Sequence, residues 1–276
     1  MNYQKPWVVA WAAFAAAVAA FVMARARAAR QLREDVVRLF VQADADTSSI
    51  YHEAQLVGLP APVQGYFHHV LCDGQPYLRG LRLQHAGQFR TGMEKDWVDI
   101  KGEEYMTADP PGFIWQGTTR QFTARDEYVA GRGRLEVRLL GALPVLVAHG
   151  PTYDKGELLR WLGESVWMPT ALLPGPRVRW DAADEHTARL TLTLAGQTVS
   201  YLVRFNEQHE IEQIETQRYQ AEGRLLPWVG RLSDYQMVQG VRVPMQLEGS
   251  WVIDSQSKPY ARFVVQELAY DQPSPF

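Results

Sequence analysis

From Trp7 to Ala24 the chain runs 18 residues without a charge or a proline, bracketed by Lys5 on one side and by Arg25, Arg27, Arg30 and Arg33 on the other. As a helix rising about 1.5 Å per residue, the stretch is roughly 27 Å long, close to the ~30 Å hydrocarbon core of a bilayer. Half of it is alanine, so a buried alanine-rich helix competes with a membrane span, as does a cleaved signal peptide. A signal peptide ends in small residues at its cleavage site; here the exit is studded with arginine. The expectation is a single-pass anchor, residues 1–33, seated in the cell (inner) membrane through Trp7 to Ala24.

The arginines at the C-terminal end of the run, by the positive-inside rule, favour a cytoplasmic globular part. The single cysteine, Cys72, lies far downstream of the apolar run, so no acylated cysteine anchors the chain there. One thiol forms no internal disulfide and leaves the redox compartment open. Five of the 28 basic residues precede Glu34, leaving 23 against all 31 acidic residues beyond it. Nucleic-acid binding is disfavoured, because no basic stripe survives outside the juxtamembrane segment.

Glu34 to Ala43 continues the anchor as a juxtamembrane helix, and a polar break at Asp44 to Ser49 follows, so residues 34–55 read as stalk and linker. In LVGLPAPVQGYFHHVL, Pro62 suits a first helical turn, and Val63, Tyr66, Phe67 and Val70 recur at helical spacing. From Gly80 the period becomes two: Leu81 and Leu83 alternate with Arg82 and Gln84, and Leu135, Val137 and Leu139 with Arg134, Glu136 and Arg138. Ala188 to Leu194, a turn at Gly196 and Val199 to Phe205 read as an antiparallel hairpin. Further strand-like runs at spacings near ten residues suggest one large curved antiparallel sheet over 56–276. Tyr153 to Trp167 interrupts it as a helix, with Asp154 as cap, Leu158, Trp161, Leu162 and Val166 as apolar arc, and Pro169 as stop.

Few constellations carry chemistry. DADT at Asp44 to Thr47 imitates the nucleophile loop of aspartate-dependent phosphatases, but no downstream aspartate pair follows to hold magnesium, and a solvated linker explains it better. His69 and Cys72 lie one helical turn apart with His68 beside them, a pair short of a zinc site. Gly131 and Gly133 in AGRGRLEV precede strand alternation where a phosphate loop needs a helix, so they read as a hairpin turn. No nucleophile elbow, zinc-protease or Walker pattern occurs, so no catalytic residue, metal or cofactor is assigned. Glu157, Arg160 and Glu164 fall within about 60° on the helical wheel. They read first as an exposed salt-bridged face, and second as a carboxylate pair with a cationic partner for acid catalysis. Seven tryptophans lie beyond the anchor, either as aromatic core or as lining of an apolar cavity.

LVGLPAPVQGYF, PPGFIW, ELLRWLGESVWMPTALLP and LSDYQMVQGVRVPMQLEGSWV together resemble an uncharacterised family of bacterial membrane-anchored proteins, over most of Leu56 to Asp271. That family is similar in turn to the lipoprotein-carrier (LolA/LolB-like) superfamily, in which an incomplete antiparallel barrel wraps helices over a cavity for acyl chains. The resemblance implies a non-enzymatic module for a lipid or other apolar ligand. It singles out Phe113 and Trp115 in PPGFIW, and Glu157, Trp161, Glu164, Trp167 and Pro169 in the helix, as cavity candidates. It also implies a periplasmic domain, against the arginine bias. The fold class expected is α+β: a strongly curved antiparallel half-barrel with a covering helix, preceded by one transmembrane helix. The function expected is a membrane-tethered binder of a lipid or hydrophobic small molecule. The alternatives are a membrane-associated hydrolase-type enzyme using Glu157 or Glu164, and a protein-interaction module of the cell envelope.

Overall fold

The computed structural model describes residues 6–43, 49–220 and 223–276; the DADT segment lies outside them. The apolar run and the amphipathic segment after it form one helix, α1 (Pro6–Gln42), long and apolar enough to cross a membrane. Its two halves differ. Trp7, Trp11, Phe14 and Val18 are exposed, whereas Leu32, Val36 and Leu39 are buried against Tyr105 and Ile114. The segment read as a stalk is therefore docked on the globular body. Helix α2 (Ala61–Val70) carries Pro62 in its first turn and buries Val63, Tyr66, Phe67 and Val70, the four residues at helical spacing.

Six strands follow as a meander: β1 (Gly80–Phe89), β2 (Val98–Thr107), β3 (Gly112–Thr118), β4 (Phe122–Val129), β5 (Arg132–Leu139) and β6 (Leu143–His149). Helix α3 (Pro151–Glu164) interrupts, continued by 3-10 turns at Ser165–Trp167 and Pro169–Leu172. A second meander comprises β7 (Val178–Ala182), β8 (Thr187–Leu194), β9 (Gln197–Phe205), β10 (Ile211–Tyr219), β11 (Leu225–Val238), β12 (Val241–Ile253) and β13 (Gln256–Tyr270). β13 pairs with β1, so the thirteen strands form one antiparallel sheet whose edges are β6 and β7. Two-residue turns with positive φ at both positions, Ala130–Gly131 and Ala195–Gly196 among them, join neighbours in the geometry that matches strand twist.

The sheet curls around α3. That helix touches β4, β5 and β6 on one flank and β9 and β10 on the other, although β5 and β9 are nine steps apart in the strand order. At ~4.8 Å per strand those nine steps span about 43 Å on a flat sheet, and a helix is about 10 Å across. Only a bent sheet brings both flanks to one helix, and this is the α+β half-barrel with a covering helix that the sequence predicts.

Two local expectations need correction. Asp154 is not the cap of α3, which begins three residues earlier after Gly150; its carboxylate instead accepts from the Gly133 amide (2.8 Å) and from Arg132 (3.1 Å). In β5 the alternation holds but burial does not follow it, because Glu136 is buried while Leu139 is 44% exposed. The inward parity of β5 meets α3 closely at Gly133, where an added Cβ would lie 2.3 Å from the Tyr153 carbonyl oxygen. The outward parity carries Arg134, Glu136 and Arg138 toward α1, where Glu136 pairs with both arginines at 2.5 Å.

Candidate functional site

All seven cavity candidates converge under the curl of the sheet. Phe113 and Trp115 point inward from β3, Trp161 projects from α3, and Trp167 and Pro169 stand in the 3-10 turns; each is buried. The tryptophan N–H groups act as pegs: Trp161 donates to the Thr107 carbonyl at 3.0 Å and Trp167 to the Pro244 carbonyl at 2.8 Å. A buried indole pays its desolvation penalty unless its N–H finds an acceptor, so these rings hold α3 to the sheet. Phe113, Trp161 and Trp167 belong to one continuous core with Tyr66, Phe67 and Leu83.

The polar face of α3 is salt-bridged but not exposed as first read: Glu157 is buried, and Arg160 and Glu164 are half-buried. A helix enclosed by a bent sheet has no wet side over most of its length, so its charges must find partners inside. Arg160 does so. Its Nε donates to both Glu164 oxygens (2.9 and 3.0 Å) and its Nη1 to Asp126 (2.6 Å). Its guanidinium also lies 5.0 Å from the Phe113 ring centre and 4.9 Å from that of Trp115. Burial lowers the pKa of Arg160, but the surrounding carboxylates, Glu164 first, outweigh this and raise it.

Around this hub, burial raises Glu104 well above the usual carboxylate range, and Glu164 adds to the shift. Glu157 is pushed up to about 8, by burial first and by Asp126 next. One oxygen of each, Glu104 Oε1 and Glu157 Oε2, is buried without a hydrogen-bond partner. Burial thus favours the neutral form of both carboxyls, beside the guanidinium groups of Arg160 and Arg218. His85 sits beside them: its Nε2 accepts from Trp115 Nε1 at 2.8 Å, and its ring stacks on Phe263 at 4.3 Å. Burial, then the field of Arg160, lowers its pKa to about 3.

Glu104, Asp126, His85 and Arg218 were missed in the sequence, although a signal existed. Each sits on a strand parity otherwise given to inward residues: His85 with Leu81 and Leu83, Glu104 with Ile100 and Met106. The histidines near Cys72 go elsewhere. His68 lies 3.5 Å from Glu53 and His69 3.5 Å from Glu210, and no metal-holding group of three occurs among the described residues.

The sheet has a fault between β9 and β10. β9 and β10 pair only where Leu202 to Phe205 meets Ile211 to Glu215, with a register shift inside that short ladder. Beyond it the two strands part. β9 stays with β8 and β10 with β11, and the Thr216 hydroxyl donates to the Ser200 carbonyl at 2.8 Å where the gap begins. A cavity of about 540 Å³ occupies the gap, reaching Lys155 and Leu159 of α3 and walled by Thr198, Val199, Thr216, Trp228 and Val252. None of the seven sequence-derived candidates lines it. This volume falls within the range of small-molecule sites, and its walls are half apolar and half polar, with Lys155, Arg189 and Glu215 as the charged members.

Such a molecule belongs to the class of open antiparallel half-barrels wrapped around a helix. Within that class, the chain belongs to the Family of unknown function (DUF6544), whose model matches residues 49–263. No curated protein matches the chain. Among solved structures it is similar to a LolA superfamily protein from Nitrosomonas europaea, at 11% identity and a TM-score of 0.40, over 75% of this chain and 91% of that one.

Proposed function

We propose that the protein is a membrane-tethered binding module that takes a lipid or another amphipathic apolar molecule into the seam between β9 and β10, with Trp7 to Ala24 as its membrane span. The observation that carries the reading is the parted ladder, which opens a cavity of about 540 Å³ onto α3 through an otherwise continuous sheet. Trp228, Leu159, Val199 and Val252 offer apolar wall, and burial of such surface stabilises a guest by about 25 cal/mol per Å². Lys155 and Arg189 stand at the same cavity and suit an anionic head. The seven interior candidates then act as the wall that supports the site. The full chain in phospholipid vesicles, irradiated with a diazirine-bearing palmitic acid, is expected to carry adducts on β9 and β10. Thr198→Trp, which fills the mouth, should remove them; adducts confined to α1 would refute the seam.

A second reading is supported by Glu157, a buried carboxyl with one unpartnered oxygen and a pKa near 8 beside Arg160 and Arg218. Those are the attributes of a general acid. Turnover of an ester or glycoside substrate that disappears in Glu157→Gln, with palmitate labelling retained, would favour an enzyme.

A further inference from the structure

We propose that the β5–β6 hairpin is a second membrane contact, its tip entering the bilayer interface beside the point where α1 leaves it; this rests on the reading of α1 as a membrane span. Edge strands are ordinarily blunted with charge. β6 is an edge strand, yet Leu143, Val145, Leu146 and Val147 are 47 to 63% exposed, and Leu139 and Leu140 at the tip 44 and 50%. Leu140 and Gly141 both have positive φ. The tip is a three-residue connection, Leu140 to Ala142, between the paired Leu139 and Leu143; at a left-handed position such as that of Leu140, Gly, Asn or Asp is preferred, so a large apolar side chain occupies a position where folding alone favours a small one.

The location of the hairpin selects what covers it. A Cβ on Gly141 would lie 3.8 Å from Arg25 Nε, and Leu140 shares with Phe21 and Arg25 the wall of a cavity of about 840 Å³ between α1 and the sheet. Arg25 is the first charged residue after the apolar run, the level at which a spanning helix passes from hydrocarbon to headgroups. Deeper in that cavity Arg125 and Arg134 are paired with Asp35, Glu127 and Glu136. Arg25 and Arg120, also on its wall, form no ion pair among the described residues. Leucines and valines beside unpaired cations match an interface with anionic phospholipid. A second copy is the weaker match. Pairing along β6 would engage its backbone but leave both apolar faces wet, and Pro144 with the register shift at Val137/Arg138 already interrupts that strand.

The test uses the full chain with Cys72→Ser, single cysteines at Leu140→Cys, Leu143→Cys, Val18→Cys and the exposed Glu185→Cys, and a nitrobenzoxadiazole label at each. The labelled protein is placed in phosphatidylcholine–phosphatidylglycerol vesicles with and without doxyl lipids. Labels at Leu140 and Leu143 are expected to emit to the blue of the Glu185 label and to lose most of their emission to doxyl lipid. If Val18 is quenched while both hairpin labels behave like Glu185, the hairpin proposal falls and the anchor stands. If Val18 also escapes quenching, both fall. Hairpin labels that are unquenched by lipid but crosslink two chains would assign the strand to a second copy and overturn the proposal.

Discussion

Glu157 shows how burial turns a surface-looking residue into a titration device. Its folded-state pKa of about 8 lies above the value near 4.3 of an unfolded glutamate. Between those values the folded chain holds a proton that the unfolded chain has lost, so folding stability is full below about pH 4 and falls as pH rises toward 8. The slope from this group is on the order of 1 kcal/mol per pH unit. Denaturant titrations of wild type and Glu157→Gln should therefore diverge: the variant loses the decline between about pH 5 and 8 and is the more stable of the two at pH 9. Curves of equal slope would show that Glu157 is solvated. The heptad-like arc of α3 was legible in the sequence, since Leu158, Trp161 and Leu162 are buried as their spacing requires. The fate of Glu157, Arg160 and Glu164 was not, because the period of a helix says which residues share a face but not whether a sheet folds over it. Asp126 and Glu104 meet them only through the curl of strands far apart in sequence.

At the scale of elements, α1 has two physical halves. The exposed N-terminal half, with Trp11, Phe14 and Val18, contributes nothing to the globular core, while Leu32, Val36 and Leu39 close an apolar patch formed by Tyr105 and Ile114 on the outer face of the sheet. Asp35 in the same stretch pairs with Arg125 at 2.8 Å. Removal of residues 1–24 is expected to leave the melting temperature of the globular part nearly unchanged, whereas removal of residues 1–43 bares the patch and lowers it. Val36→Asp in the shorter truncation should reproduce the effect, at about 3 kcal/mol for an unpaired buried carboxylate. Equal melting temperatures for both truncations would mean that the docked half is dispensable. Sequence reading found the continuity of this helix and its amphipathic tail. It took the tail for a stalk because Val36, Val37, Leu39, Phe40 and Val41 specify an apolar stripe without naming the surface that receives it. The strands were read through alternation, which succeeded where one face is wet, as in β8 and β9, and failed in β5, where α1 covers the polar parity.

Taken whole, the molecule is one sheet rolled against a helix inside and partly covered by another outside. Its long ladders, β11 with β12 and β1 with β13, run down the middle. The ladder between β9 and β10 is short, and everything beyond it, β7 to β9, hangs from four paired positions and from side-chain packing. Tyr201 reaches across to donate to the Leu159 carbonyl at 3.1 Å, and Phe67 meets Trp180 edge-on at 6.3 Å. Those contacts close the leaf without zipping its backbone to the rest. In hydrogen–deuterium exchange the amides of Thr198 to Tyr201 and Gln217 to Tyr219 that face the seam should exchange ahead of every other strand position outside the edges. Uniform protection across β8 to β11 would count against an opening there. A sheet that ends a ladder midway has a page that can be turned: on the proposed reading, three strands lifting together would bare the flank of α3 while the other ten stay bound.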